Sequence, residues 1–457
     1  MDVDAVKSRI AEFHRGKKWI LLPDAAAVAT PVVERLREWG ADGIMIVAAI
    51  EGVGELPNAD RFHYTRTTGA TIMGGVRAYL DSVEHPSAAL LAAVDRFDPG
   101  HDAMVLGAGF SRHSTLVGRP VYGAKPAVWG SLEDKTTVDQ LWDDAAVRRA
   151  PSAVVPVADA SVAAANLTSD LGTVWVADNR EGWHGGGEYA RWVRSAEDVV
   201  PAVEWFSEHA ATVRVMPFLD GIPCSIHGFV TGDGVAVFLP MEMIMLRHAE
   251  QPAFIYAQAA NFWNPPVEVR DEMRGAGRRV GTLLAERHGY LGGFGVDGVC
   301  TRNGFLPTEL NPRRSIGHGL QSRAAEIPLD SIEGMLIEGD IDIAAQDLEE
   351  TIISAATTRR KGGMLLSLTE PHDAAKTGIR FNGSRAIAVD PDGEKDGVME
   401  IGPSAVGSII ILQLDADRTP VGPSVAPMAI QAIDLARDLW GIAMPPLESA
   451  PDLCSEQ

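Results

Sequence analysis

Residues 293–313 read "GFGVDGVCTRNGFLPTELNPR". The run is a strand, a turn at Arg302-Asn303-Gly304 and a second strand. Two carboxylates, Asp297 and Glu309, interrupt its apolar positions, and Asn311 and Arg313 follow. Glu309 and Asn311 are two apart and share a face of their strand. Whether Asp297 joins them depends on the turn. A two-residue Asn303-Gly304 loop pairs Asp297 with Leu310 and sends the acids to opposite faces. A three-residue loop over Arg302-Asn303-Gly304, with Gly304 left-handed, sets Asp297 opposite Glu309. A β-bulge could rescue the other register. Two facing carboxylates repel unless a cation lies between them. With Asn311 they make the oxygen-rich set that a hard cation such as Mg²⁺ requires. The apolar surroundings argue against a simple solvated face.

The rest of the chain limits what such a site can serve. Its 457 residues, 46% of them hydrophobic, are too many for one core, so two or three domains are expected. The formal net charge of −22 disfavours nucleic acid and anionic membrane, both of which need a basic footprint. It leaves room for a small phosphorylated ligand, which needs only local positive charge. Cys224, Cys300 and Cys454 form no CxxC pair, so a zinc ribbon or dithiol site is excluded and a reducing cytoplasm with incidental thiols is expected. No apolar run is long enough to span a membrane, and the first residues do not read as a secretory leader.

Residues 1–125 alternate buried strands ("KWILLP", "DGIMIVAAI", "DAMVLGAG") with helices, which implies a parallel sheet covered on both faces. No G-x-G-x-x-G follows its first strand. In "LEDKTTVDQLW", Thr136 and Asp139 have capping-box spacing, which places Lys135 just before a helix. "VWVADNREGWHGGGEYARWV" reads as strand, Gly-rich loop and strand, and its glycines allow backbone N–H groups to approach phosphate oxygens. "VRVMPFLDG" follows as a strand and turn. "FIYAQAANFWNPP" reads as an aromatic loop before a long helix stopped at Gly289. Residues 326–457 read as a small α+β unit, with "DPDGEKDGVME" as a polar turn region.

Taken in order, these segments resemble the ATP-grasp superfamily. The most specific element is the carboxylate followed, twelve residues on, by Glu-x-Asn-x-Arg, similar to the biotin carboxylase and carboxylate–amine ligase branches. The resemblance covers about residues 125–325. It implies an ATP-grasp fold at 126–325, with a Gly-rich lid at about 150–213. An N-terminal parallel α/β domain at 1–125 precedes it, and a C-terminal α+β domain at 326–457 follows.

By the same resemblance, Lys135 would contact the nucleotide phosphates, and Gly185, Gly186 and Gly187 would close over them. Met216, Phe218 and Leu219 would line the adenine slot, and Asp220 would hold the ribose. Asp297, Glu309 and Asn311 would bind Mg²⁺, with Mn²⁺ as the alternative. Arg313 would clamp the acyl phosphate or the substrate carboxylate. A second lysine, usual at the end of the strand before the loop, is replaced by Val176-Ala177-Asp178, and Arg180, Arg191 or Arg194 are candidates to supply its charge. The hinge begins with Met216-Pro217 where an acid is usual.

The implied activity is an ADP-forming carboxylate–amine ligase acting through an acyl phosphate on a small amino-acid-like substrate. The implied partners are a small carboxylate and an amine, with a homodimer as the assembly considered. Carboxylation, thioester formation and a catalytically degenerate ATP-binding subunit are the alternatives. No dedicated nucleophile is needed, and His184, His227 and His318 read as structural or solvated, with His318 close in sequence to the implied acyl site.

Overall fold

The computed structural model describes residues 2–453 except 70, 108–109, 181, 183, 249–252 and 405. The first sheet runs in the order Arg61–Tyr64, Gly43–Ala48, Lys18–Leu21, Met104–Leu106, Arg119–Tyr122, Thr115–Leu116. Its neighbours are parallel except for the last pair. Gly43–Ala48 is buried along its whole length, as the unbroken apolar run predicts. Alternation then divides it between two cores. Ile44 and Ile46 join Trp19 on one face, while Met45 and Val47 join Ile20 on the other. The second face is covered by helices Ile72–Glu84 and Ala88–Phe97. The first core also takes in Leu329, Ile332, Leu348 and Ile352, and helix Ala345–Thr358 packs on helix Ile316–Ala325 and strand Val235–Val237.

His14 lies in that first core, fully buried among Phe13, Trp19 and Trp39, with neither ring nitrogen hydrogen-bonded. Burial, helped by nearby Lys17, lowers its pKa from 6.5 to about 4. The unfolded chain therefore binds the proton first, and stability is lost as pH falls from about 6.5 towards 4. His14→Phe removes this term. In urea melts between pH 7 and pH 4.5, the variant should retain roughly 2–3 kcal/mol that the parent loses. Parallel pH curves for the two proteins would show that His14 does not titrate in this way.

Two antiparallel sheets follow and bracket a cleft. One has four strands, in the order Ala153–Pro156, Thr212–Pro217, Thr173–Ala177, Ala190–Val193. The larger one passes through Phe254–Ala260, Met241–His248, Ile222–Val230, Gly292–Thr301 and Gly304–Asn311. Helix Val267–His288 packs across the larger sheet through Met273, Val280 and Leu284, and Gly289 ends it in the left-handed region. A five-stranded antiparallel sheet and helix Ala426–Trp440 form the C-terminal core.

Several local expectations need correction. "FIYAQAA" is not loop: Phe254–Ala260 is a strand on Met241–His248, its Ala257, Ala259 and Ala260 buried. Gly397–Ser404 is a strand paired on both sides, so the polar turn ends before Gly397, and Ala375–Asn382 is a further strand that its mixed composition concealed. Helix Val138–Asp144 has no capping box. Thr137 caps without a side-chain bond, and Asp139 turns instead to Arg214. Cys224 is a free, buried thiol, but Cys300 is disulfide-bonded and so is not an incidental thiol. Cys454 lies outside the described residues. Among the described residues no helix is long and apolar enough to cross a membrane.

Candidate active site

The hairpin tip is neither of the two loops considered from sequence. Thr301 pairs with Gly304, so the loop is Arg302-Asn303, and Gly304 takes the positive φ of +98° that follows it. That register alone would set Asp297 opposite Thr308. A β-bulge between Asp297 and Gly298 admits one extra residue, Thr308, and Asp297 faces Glu309 after all. The bulge is held from outside. Arg214, almost fully buried, donates from Nη1 to the Thr308 carbonyl at 3.2 Å, and Thr308 Oγ1 donates to the Asp297 carbonyl at 3.3 Å. Asp139 fixes Arg214 through Nε at 3.0 Å and Nη2 at 2.7 Å.

The structure brings the three expected metal ligands together. Asn311 Nδ2 donates to Asp297 Oδ2 at 2.8 Å, and Ser225 Oγ donates to Asp297 Oδ1 at 2.5 Å. Burial, then the facing Glu309, push the Asp297 carboxyl up to about 7, against the lowering influence of Ser225, Arg313 and Asn311. Two carboxylate side chains and an amide, with room left for phosphate oxygens, fit Mg²⁺.

Lys135 lies within the same wall. Its Nζ is 3.2 Å from Glu309 Oε1 and donates to the His184 carbonyl at 3.2 Å. His184 is buried, and burial plus Lys135 lower its pKa to about 4, so it stays neutral. Arg313 reaches Glu133 with Nε at 2.9 Å and Nη2 at 2.8 Å, and the same Nη2 donates to Asn311 Oδ1 at 2.8 Å. Asn311 thus bridges Asp297 and the arginine.

A cavity of about 180 Å³ opens between the two central sheets. Lys135, Glu309 and Thr308 form one end, and Met216, Phe218, Leu219 and Gly187 line it further along. Phe218 stacks on Trp192 at 4.4 Å between ring centroids, giving the slot an aromatic wall. Of the lid glycines only Gly187 lines the cavity. Gly186 shares its left-handed backbone but is exposed, and Gly185 is buried beside it. The lid is tied to the N-terminal sheet's helix by Glu188, which takes Arg77 Nη1 at 2.8 Å.

Asp220 does not line the cavity; it pairs with Arg247 at 2.9 Å. Arg247, from strand Met241–His248, lines the slot over the Phe218 ring at 4.9 Å. It is the second cation of the cavity, and sequence reading missed it. The arginines named from sequence lie elsewhere: Arg180 donates to the Ala210 carbonyl, Arg191 covers Trp205, and Arg194 is near the Trp192 ring, none of them lining the cavity. Asp178, at the expected lysine position, instead accepts from the Ala211 and Thr212 N–H groups. The one signal for Arg247 was a lone cation in an apolar alternating strand, "MEMIMLRH".

No family profile matches the chain, and no curated protein sequence does. Solved structures do resemble it. An ADP complex of N5-carboxyaminoimidazole ribonucleotide synthetase shares 12% identity at a TM-score of 0.51, over 93% of this chain and 98% of that one. Biotin carboxylase from Campylobacter jejuni shares 14% at 0.55, over 96% and 93%. Pyruvate carboxylase from Rhizobium etli shares 15% at 0.55, over 95% of this chain, which spans only 38% of that longer one. At such identities the likeness establishes the fold.

Proposed function

We propose that this chain, which has the ATP-grasp fold, is an ATP-dependent ligase that activates a small carboxylate as an acyl phosphate and joins it to an amine. The observation that carries the reading is a connected set: Lys135 and Glu309 line an aromatic-walled cavity, Asp297 faces Glu309, and Asn311 joins Asp297 to Arg313. Phe218 and Met216 hold the base, with Arg247 over the Phe218 ring, and Lys135 holds phosphate oxygens. Asp297, Glu309 and Asn311 would hold Mg²⁺, which when bound neutralises phosphate charge.

Arg313 positions the substrate carboxylate, one oxygen of which attacks the γ-phosphorus as ADP leaves. The amine nitrogen then attacks the acyl carbon, loses its proton, and phosphate departs. The chain's part is positioning and charge stabilisation, so no side-chain nucleophile is required.

The test is phosphate release from MgATP across a panel of paired carboxylates and amines. Release that needs both partners, with an amide as product, is the expected result. Release with bicarbonate and no amine would indicate carboxylation, and tight ATP binding without turnover across the panel would indicate a binding subunit.

A further inference from the structure

A second cavity, of about 200 Å³, lies in the N-terminal sheet. It is lined by Leu22, Val76, Leu80, Val83, Phe110 and Leu116, with Asp24 at its exposed rim. Its position follows from topology. The strand order places Lys18–Leu21 beside Met104–Leu106, where the sheet's connections diverge to opposite sides. Leu22 follows the carboxyl end of the first strand and Phe110 follows that of the second. Crevices at such switch points are where open α/β sheets take ligands. A cavity on the order of 150 Å³ with apolar walls accepts a molecule of benzene's size.

Phe110 connects this cavity to the active site, because the Arg313 guanidinium lies 4.8 Å from its ring centroid. Two residues on, Arg112 lies within electrostatic reach of Arg313, Glu133 and Glu333. Its Nη1 meets only the main-chain oxygens of Phe110 and Ser111, and its buried Nε has no partner. Glu333 serves both Lys125 at 3.0 Å and Arg314 at 2.9 Å, and Glu133 is occupied by Arg313. A buried guanidinium N–H left without an acceptor is costly, and a carboxylate oxygen would satisfy it.

We propose that Arg112 and the switch-point cavity form the acyl-substrate subsite, which takes a carboxylic acid bearing an apolar side chain. The carboxylate sits between Arg112 and Arg313, and the side chain passes Phe110 into the cavity. The role given to Arg313 rests on the ligase reading; the cavity and Arg112 stand on their own geometry.

Titration calorimetry with isocaproate, acetate and isoamyl alcohol, in the presence of Mg²⁺ and ADP, tests the subsite. Isocaproate should bind about tenfold or more tighter than acetate. Leu80→Trp, which fills the cavity, should erase that preference and leave acetate and MgADP affinity unchanged. Arg112→Ala should weaken both acids and not the alcohol. Val76→Phe fills the same space should Leu80→Trp not fold. Equal affinity for the two acids, or an isocaproate preference that survives in the filled variant, would overturn the proposal. Failure of MgADP to bind would defeat the ligase reading, and the acid titrations would still decide the subsite.

Discussion

Glu309→Gln should lower MgATP-dependent phosphate release by about 10²- to 10³-fold, with an unchanged far-UV circular dichroism spectrum. The amide keeps the shape of the side chain and removes its charge. Asp297 and Asn311 would then hold the cation with one carboxylate. Lys135 would lose the partner that sits 3.2 Å from its Nζ. Lys135 pairs with Glu309 in the free chain, so a divalent cation bound by Glu309 would release Lys135 toward the phosphates. The parent should accordingly gain thermal stability from Mg²⁺ plus ADP, and the variant should gain much less. Undiminished turnover in Glu309→Gln would remove Glu309 from the metal set.

Gly221→Ala should cost about 3–5 kcal/mol, read as a fall in the urea midpoint at constant slope. Gly221 has a φ of +141°, and a Cβ there would lie 2.1 Å from the Cys300 carbonyl oxygen. The obstacle is backbone of strand Gly292–Thr301, which is paired on both sides, so it cannot rotate aside. The residue also lines the nucleotide cavity directly after the hinge, and nucleotide affinity should fall with stability. A variant within 1 kcal/mol of the parent, an amount on the scale of an ordinary surface change, would mean that the hinge relaxes freely around Gly221.

The parallel sheet was legible because its strands are continuous apolar runs, a pattern that survives without knowledge of partners. The hairpin and its four polar residues were legible for the same kind of reason: short spacings on one element. What was not legible depended on contacts between distant segments. Arg247 and Asp220 are 27 residues apart and meet only once the larger sheet forms. Asp139 has the spacing of a helix cap, yet its carboxylate goes to Arg214, 75 residues away, because a buried guanidinium competes better for it than a main-chain N–H. Strands Ala375–Asn382 and Gly397–Ser404 carry Lys, Arg and Glu, and composition alone placed neither.

The bulge at Thr308 ties together the segments that carry the chemistry. Asp139, four residues beyond Lys135, grips Arg214; Arg214, two residues before Met216, grips the Thr308 carbonyl; and Thr308 precedes Glu309. Ironing out the bulge would pair Asp297 with Thr308 and turn Glu309 away. Heritable change at these places is therefore interdependent. A replacement at Asp139, which touches neither nucleotide nor metal, is tolerable only in a lineage that has already found another way to hold Arg214, and its effect would register as lost metal binding in a chain that still folds.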